Sequence, residues 1–382
     1  DVARWDGDFE YQFEHTVGDA RLVAPAMAIE TVAAGGGSIC RFTEGRLTVG
    51  PESAGADPGP ACYGAGGPLT VTDVNLLLGR LDPDRFGIPI AVDAAQSRLH
   101  ELLTEMPNKT PAEQVLSGLA QIADERMAAA IRRVSLEKGY DPGVHALVAF
   151  GGAGGQHVCG VAASLGMERV LVPVDASLLS AHGLGAAVVE RFAERQVLQP
   201  LAEVAQQVPE WLQQLGDAAR AEVAAEGTTM AATVVRRRMV NLRFRGQESS
   251  LTVEATAGVS LAQAFAEAYE AVYGHRPSLE RSIEVESLRV VASAPPMASP
   301  VSTADLPQKS VPSGCRRAWT GADWQDVRTY ERDELALGAV VHGPALVFEQ
   351  HSATWVAQGW QLHVDHAGAL AMRHVQPAAA PP

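Results

Sequence analysis

The chemistry in this chain is concentrated in three glycine clusters and the polar residues set among them. The first is Gly35-Gly36-Gly37-Ser38, and the second runs from Gly50 through Ser53, Gly55 and Gly59 to Cys62 and Gly64. The third is Gly151-Gly152-Ala153-Gly154-Gly155-Gln156-His157. Glycine loses much conformational freedom on folding, so bare main chain is kept where it must turn sharply or come against a ligand. The third cluster is neither a GxxxxGK[ST] phosphate loop nor a GxGxxG dinucleotide turn. It reads either as tight strand-to-helix packing or as a flat surface for adenine or ribose beside a helix N-terminus. His157 falls in the first turn of that helix, as a hydrogen-bonded packing residue or as a catalytic group.

Other residues carry further alternatives. Ser53 and Cys62 are nucleophile types among glycines. Neither lies in a GxSxG elbow or has a His partner recognisable in the sequence, which argues against acyl-enzyme chemistry. Thr72-Asp73 sets a hydroxyl beside a carboxylate, an arrangement for magnesium or water ligation, or for a helix cap. Asp1 is a carboxylate at a strand–turn junction, a position for the partner of a nucleotide-bound metal or for a frayed end.

The elements that must position these residues follow from periodicity. Residues 1–14 carry Asp6-Gly7 between apolar arms and predict a hairpin. Residues 20–80 predict short strands and loops, ending in a short helix over 74–81. Val115, Leu119, Ile122, Met127, Ile131 and Val134 recur at helical spacing between Pro111 and Gly139, predicting one long amphipathic helix. An apolar strand at 146–150, the third glycine cluster, a helix at 158–166 and a strand at 170–173 make a βαβ unit. Its ligand-facing end is at the carboxyl edge of the first strand. Beyond residue 196 the character changes: helix over 200–226, strands over 233–256 and 282–294, a helix over 261–273, a loop over 295–314 and a β-rich end. The predicted organisation is an α/β unit at 1–196, an α+β domain at 197–374 and an Ala/Pro linker-like tail at 375–382.

Composition excludes several classes. The 382 residues suffice for two domains with proper cores, and 47% hydrophobic with 20% charged residues is globular composition. A formal charge of −15 argues against a nucleic-acid surface. Arg236-Arg237-Arg238, the only basic triplet, reads as a solvated strand end. No run reaches the roughly 18 apolar residues of a bilayer span, so no membrane partner is expected. Cys40, Cys62, Cys159 and Cys315 lie far apart without CxxC spacing, which favours a reducing, cytoplasmic setting over a zinc or disulfide framework.

An ordered set of strings resembles the hydantoinase A/5-oxoprolinase family. It comprises Asp1-Val2, 31–38, 49–63, Thr70-Val71-Thr72-Asp73, 139–142, 150–157 and 178–184, with Arg243-Phe244-Arg245-Gly246-Gln247, Tyr273-Gly274 and 343–347 beyond them. The resemblance covers essentially the whole chain, and Gly154-Gly155-Gln156-His157 and the opening ten residues resemble the 5-oxoprolinase branch. Val74 and His182 depart mildly from the family pattern. The resemblance implies the second lobe of an actin-like, sugar-kinase-like ATPase fold followed by a β-rich α+β domain. It implies ATP and Mg2+ as cofactors, with Gly35, Gly36, Gly37, Ser38 and Gly151 to His157 facing the nucleotide. Asp1 and Asp73 would be catalytic and Asp1 the metal ligand. A phosphate loop just before Asp1, an N-terminal lobe and a hydantoinase B-type hydrolytic partner would lie outside this sequence, in an oligomer. The implied reaction is ATP-dependent opening of a lactam or imide ring, 5-oxo-L-proline with water giving L-glutamate, ADP and phosphate. N-methylhydantoin or caprolactam opening, ketone carboxylation and an inactive assembly fragment are the alternatives.

Overall fold

The structure is a computed structural model that describes residues 1–7, 10–17, 20–107, 109–136, 139–278, 281–295 and 311–375. Its fold is mixed α/β and divides into two compact units, Asp1–Ser180 with Val301–Pro382, and Ala181–Pro300.

In the first unit, β1 (Tyr11–Val17) pairs antiparallel with β2 (Ala20–Met27). The hairpin expected about Asp6-Gly7 therefore lies one segment later. Arg4 binds both Asp6 and Glu10, at 2.7 and 3.2 Å, so side chains shape that bend, and Val2 bridges Glu30. β3 (Ser38–Thr43) and β4 (Arg46–Ser53) form a hairpin whose turn residues Glu44 and Gly45 have φ of 53° and 78°. Positive φ at both positions matches the twist of a two-residue turn.

Helix α1 (Val71–Leu77) starts three residues before the expected Val74, because Thr70 and Asp73 form a capping box there. Next come α2 (Val92–Glu105) and α3 (Ala112–Val134), the latter the long amphipathic helix. The βαβ unit is β5 (Leu147–Val148), α4 (Gly154–Leu165) and β6 (Arg169–Val172), with β5 and β6 parallel. Helix α4 begins at Gly154 rather than Val158 and so takes the second half of the third glycine cluster into its first turn. α5 (Leu179–Ala186) leads into the second unit.

That unit contains β7 (Glu190–Pro200), α6 (Leu201–Val204), α7 (Val208–Ala225), β8 (Val234–Phe244), β9 (Leu251–Glu254), α8 (Leu261–Tyr273) and β10 (Ile283–Ser293). The sheet order is β7-β10-β8-β9, all neighbours antiparallel. Residues of α6, α7 and α8 share one apolar core with Val240, Leu242 and Phe244 of β8.

The chain then returns to the first unit. β11 (Gly314–Trp319) and β12 (Trp324–Glu331) precede β13 (Val340–His342), β14 (Ala345–Glu349), β15 (Ser352–Val356), β16 (Trp360–Val364) and β17 (Leu370–His374). One sheet runs β11-β12-β14-β15 and another β13-β16-β17-β6-β5. The last strand thus pairs with β6, closing the sheet that holds the βαβ unit. Sequence character changes at 196/197, whereas the compact units part near 180 and rejoin after 300. Most of the proposed 375–382 tail and of the 295–314 loop lies outside the described residues.

Candidate active site

The first and third glycine clusters meet at the start of α1. The Gly36 carbonyl accepts from the Thr72 N–H at 2.9 Å and from Thr72 Oγ1 at 3.0 Å. A Cβ on Gly36 would stand 2.6 Å from Thr72 Oγ1 and 4.0 Å from the Ala153 Cβ. The second cluster interlocks on the other side: Ala54 donates to the Gly37 carbonyl at 2.8 Å, and a Cβ on Gly37 would come within 2.9 Å of Ser53 Oγ. Ser38 Oγ accepts from the Gly35 N–H at 3.0 Å and closes this turn. Gly35 is exposed, with open space where a side chain would go.

The third cluster has two faces. Gly155 is buried, and a Cβ there would lie 2.6 Å from Thr354 Oγ1 and 2.9 Å from the Ala353 carbonyl, so α4 presses on β15. Gln156 and His157 are buried with it. Gly151 has a φ of 87° and donates to the Ala176 carbonyl at 2.8 Å. Gly152 is exposed, and its Cβ position is 3.3 Å from the His351 carbonyl. Gly151, Ala153 and Gly154 are half-buried beside it. Packing therefore describes residues 155–157, and of residues 151–154 Gly152 is the exposed one.

His157 is 2% exposed and bonded at both ring nitrogens. Its Nδ1 is 2.6 Å from Asp124 Oδ1 and its Nε2 is 2.9 Å from Asn75 Nδ2. An amide nitrogen only donates, so Nε2 accepts and Nδ1 carries the proton towards Asp124. Arg80 extends the chain of bonds, its guanidinium donating to Asn75 Oδ1 at 3.4 Å. A Cβ on Gly160 would overlap the Asp124 carboxylate, which rests directly on the α4 backbone. Burial pulls the Arg80 pKa down, opposed by the nearby Asp124 and Cys159. Sequence reasoning missed Asn75 and Asp124 as partners of His157. Their only signal was a polar group interrupting an otherwise apolar helix face.

Asp73, expected to be a catalytic carboxylate, is fully buried. It accepts from the Ala61, Cys62 and Thr70 N–H groups at 3.1, 2.8 and 2.8 Å, and from Thr70 Oγ1 at 2.9 Å. It caps α1 and ties the end of the second glycine cluster to it. Burial and the adjacent Asp73 push the Cys62 thiol far up, and burial pushes Cys40 and Cys159 up to about 12. None of the three is a thiolate nucleophile at neutral pH. Ser53 is exposed and accepts from the Gly55 N–H at 3.1 Å.

Asp1 is exposed and accepts from Thr31 Oγ1 at 2.8 Å, at the head of the segment that leads into Gly35. Among the described residues no group of three or more His, Cys, Asp or Glu could hold a metal ion. A single carboxylate still suits magnesium, which keeps waters and takes substrate phosphate oxygens rather than a protein cage.

Residues 1–192 match the family model for hydantoinase/oxoprolinase, and residues 198–375 match its C-terminal domain. The chain is similar to 5-oxoprolinase PfmaA of Pestalotiopsis fici, 32% identical over 96% of this chain and 30% of that protein. It is also similar to the crystal structure of the ATP-dependent caprolactamase from Pseudomonas jessenii. That likeness has a TM-score of 0.81 and 29% identity, covering 93% of this chain and 54% of the other. A nucleotide-free acetone carboxylase shares the fold with a TM-score of 0.71 and 22% identity, over 97% of this chain and 56% of that one. The chain spans less than a third of the 5-oxoprolinase and about half of the two structures. With both halves matched, the chain belongs to the hydantoinase/oxoprolinase family.

Proposed function

We propose that this chain supplies part of the ATP-binding, substrate-phosphorylating half of a lactam-opening hydrolase, with 5-oxoproline as substrate. The observation that carries the reading is the junction of Gly36, Thr72 and Ala153, where two glycine clusters remote in sequence come together. The relation to a 5-oxoprolinase supports the substrate. The likeness to the caprolactamase favours caprolactam opening as the second reading. We further propose that residues 1–196 are the second lobe of an actin-like ATPase, acting with an N-terminal lobe and a hydantoinase B-type hydrolytic partner in a cytoplasmic oligomer.

The residues present fit a nucleotide. Gly152 is exposed, and a Cβ there would come 3.3 Å from the His351 carbonyl, so the bare backbone is left accessible to a flat ring. The first turn of α4 adds the partial positive charge of a helix start. Bound ATP with magnesium would supply the phosphoryl group that turns an amide oxygen into a leaving group. Phosphoryl transfer asks the protein for positioning and charge neutralisation, which glycines and one carboxylate can provide. Gly151, Gly152 and Ala153 would hold the adenosine side, Gly35 to Ser38 the opposite edge, and Asp1 the metal. Thr72 holds the Gly36 edge through two hydrogen bonds. Asp73 acts at one remove, by capping α1 beneath Thr72.

The complete enzyme should release ADP on 5-oxoproline addition and form glutamate in step. ADP release with caprolactam and none with 5-oxoproline would move the assignment to the second reading. No nucleotide binding at all would remove both.

A further inference from the structure

The second unit contains an open groove of about 970 Å³ between α6–α7 on one side and the loop before α8 on the other. Its walls include Leu201, Val208, Leu212 and Leu261. No aspartate or glutamate is among its lining residues, although the chain has 45 acidic and 30 basic ones. The two charged residues on it are both arginines, Arg238 and Arg281.

Both arginines are exposed, and Arg238 is the fifth residue of β8 rather than its end. On β8, Arg238 belongs to the same alternating row as Val240, Leu242 and Phe244, which are buried under the helices. Successive residues of a strand face opposite sides, so Arg238 faces the helix side of the sheet. It ends the row at one extremity. At the other, the Arg281 guanidinium stacks 4.4 Å from the Phe244 ring centroid. Six residues separate 238 from 244, about 20 Å of strand. Arg236 and Arg237, the rest of the basic triplet, are ion-paired with Glu190 and Glu254. Neither Arg238 nor Arg281 has a carboxylate partner among the described residues. Two exposed guanidiniums thus stand at opposite ends of an apolar trough, with no carboxylate partner among the described residues, in a strongly acidic chain.

We propose that this groove binds an elongated apolar molecule carrying an anionic group at each end, of the long-chain α,ω-dicarboxylate class. The apolar body would lie along the Leu201, Val208, Leu212 and Leu261 walls, and each carboxylate would accept from one arginine, bidentately where the fork allows. A monocarboxylate of equal length can satisfy only one end.

The test uses the 382-residue chain with dodecanedioate, dodecanoate and dodecanol, followed by calorimetric titration. Dodecanedioate should bind at one site, about tenfold tighter than dodecanoate if one guanidinium–carboxylate contact is worth one decade. Arg238→Ala and Arg281→Ala should each weaken dodecanedioate about tenfold and remove its advantage over dodecanoate. Ala205→Trp, at an exposed lining position, should block all three ligands. Arg276→Ala, an exposed arginine paired with Glu270 outside the groove, should change nothing. Thermal melts report whether each variant is folded. Equal affinity for the diacid and the monoacid overturns the two-ended site. Absence of saturable binding, or affinity indifferent to both arginine variants in folded protein, overturns the groove as an anion site.

Discussion

At the scale of single residues, Gly36 is where the candidate site is most easily broken. Any side chain there must displace the Thr72 hydroxyl, 2.6 Å from the Cβ position, and with it one of the two bonds tying Thr72 to Gly36. Gly36→Ala should destabilise the chain by about 1–3 kcal/mol, the range for overpacking, in urea unfolding. Adding Thr72→Ala, which clears the space, should restore part of that loss, since contacting sites are non-additive. Full additivity would show that the two residues do not touch. A second residue-scale expectation concerns the buried thiols. Burial pushes Cys40 and Cys159 up to about 12 in the folded chain, above the ordinary thiol value of about 8.5 in an unfolded one. A raised folded pKa gives stability that is whole below the unfolded value and is lost as pH climbs towards the folded one. The urea midpoint should therefore hold steady below about pH 8 and decline between about pH 9 and 12. In Cys40→Ala and Cys159→Ala variants this alkaline decline should shrink.

At the scale of elements, the start of α4 is held by side chains from α1 and α3. Asn75 and Asp124 bracket His157, and Gly160 lets the Asp124 carboxylate lie against the helix. Asp124→Asn keeps the shape but ends the charge-assisted bond. In the complete enzyme it should raise the KM for ATP several-fold with a smaller change in kcat. Gly160→Ala pushes the same carboxylate away and should reproduce that pattern, the double variant being little worse than either. An effect on kcat alone would assign Asp124 to the chemistry rather than to holding the glycine turn. This arrangement shows what sequence reading reaches. The long helix α3, the βαβ unit and helix α8 were legible because apolar spacing and glycine stops are local signals. The Asn75–His157–Asp124 bonds join residues 82 and 33 positions apart, and no period encodes them. The first hairpin was misplaced for a related reason. Asp6-Gly7 is a good local turn signal, but Arg4 folds that segment through ion pairs, and Val2 finds its bridge at Glu30. Asp73 looked like a reactive carboxylate until its four donors, three of them backbone, were placed around it.

At the scale of the whole molecule, sequence order and spatial partition differ, and the difference bears on function. β6 of the βαβ unit pairs with β17 across nearly two hundred residues, and β15 backs the glycine turn through Thr354. The C-terminal strands therefore back the proposed nucleotide-facing surface, and on that proposal a variant there should alter ATP binding without touching ATP. The two proposed ends of the site can be separated by kind of effect. Gly152→Val places a branched side chain on the exposed glycine, against the His351 carbonyl, so it should weaken Mg·ATP binding at least tenfold in calorimetry of the complete enzyme, the cost of about 1.4 kcal/mol. Asp1→Asn leaves that surface intact and removes a charge from the proposed metal end. It should lower turnover while nucleotide affinity moves little, because a group that acts mainly in the transition state is felt in kcat. The opposite pattern, with Gly152→Val neutral and Asp1→Asn defective in binding, would mean that adenosine lies away from the third cluster. Matching losses in both variants would mean that the site is not divided between the two ends.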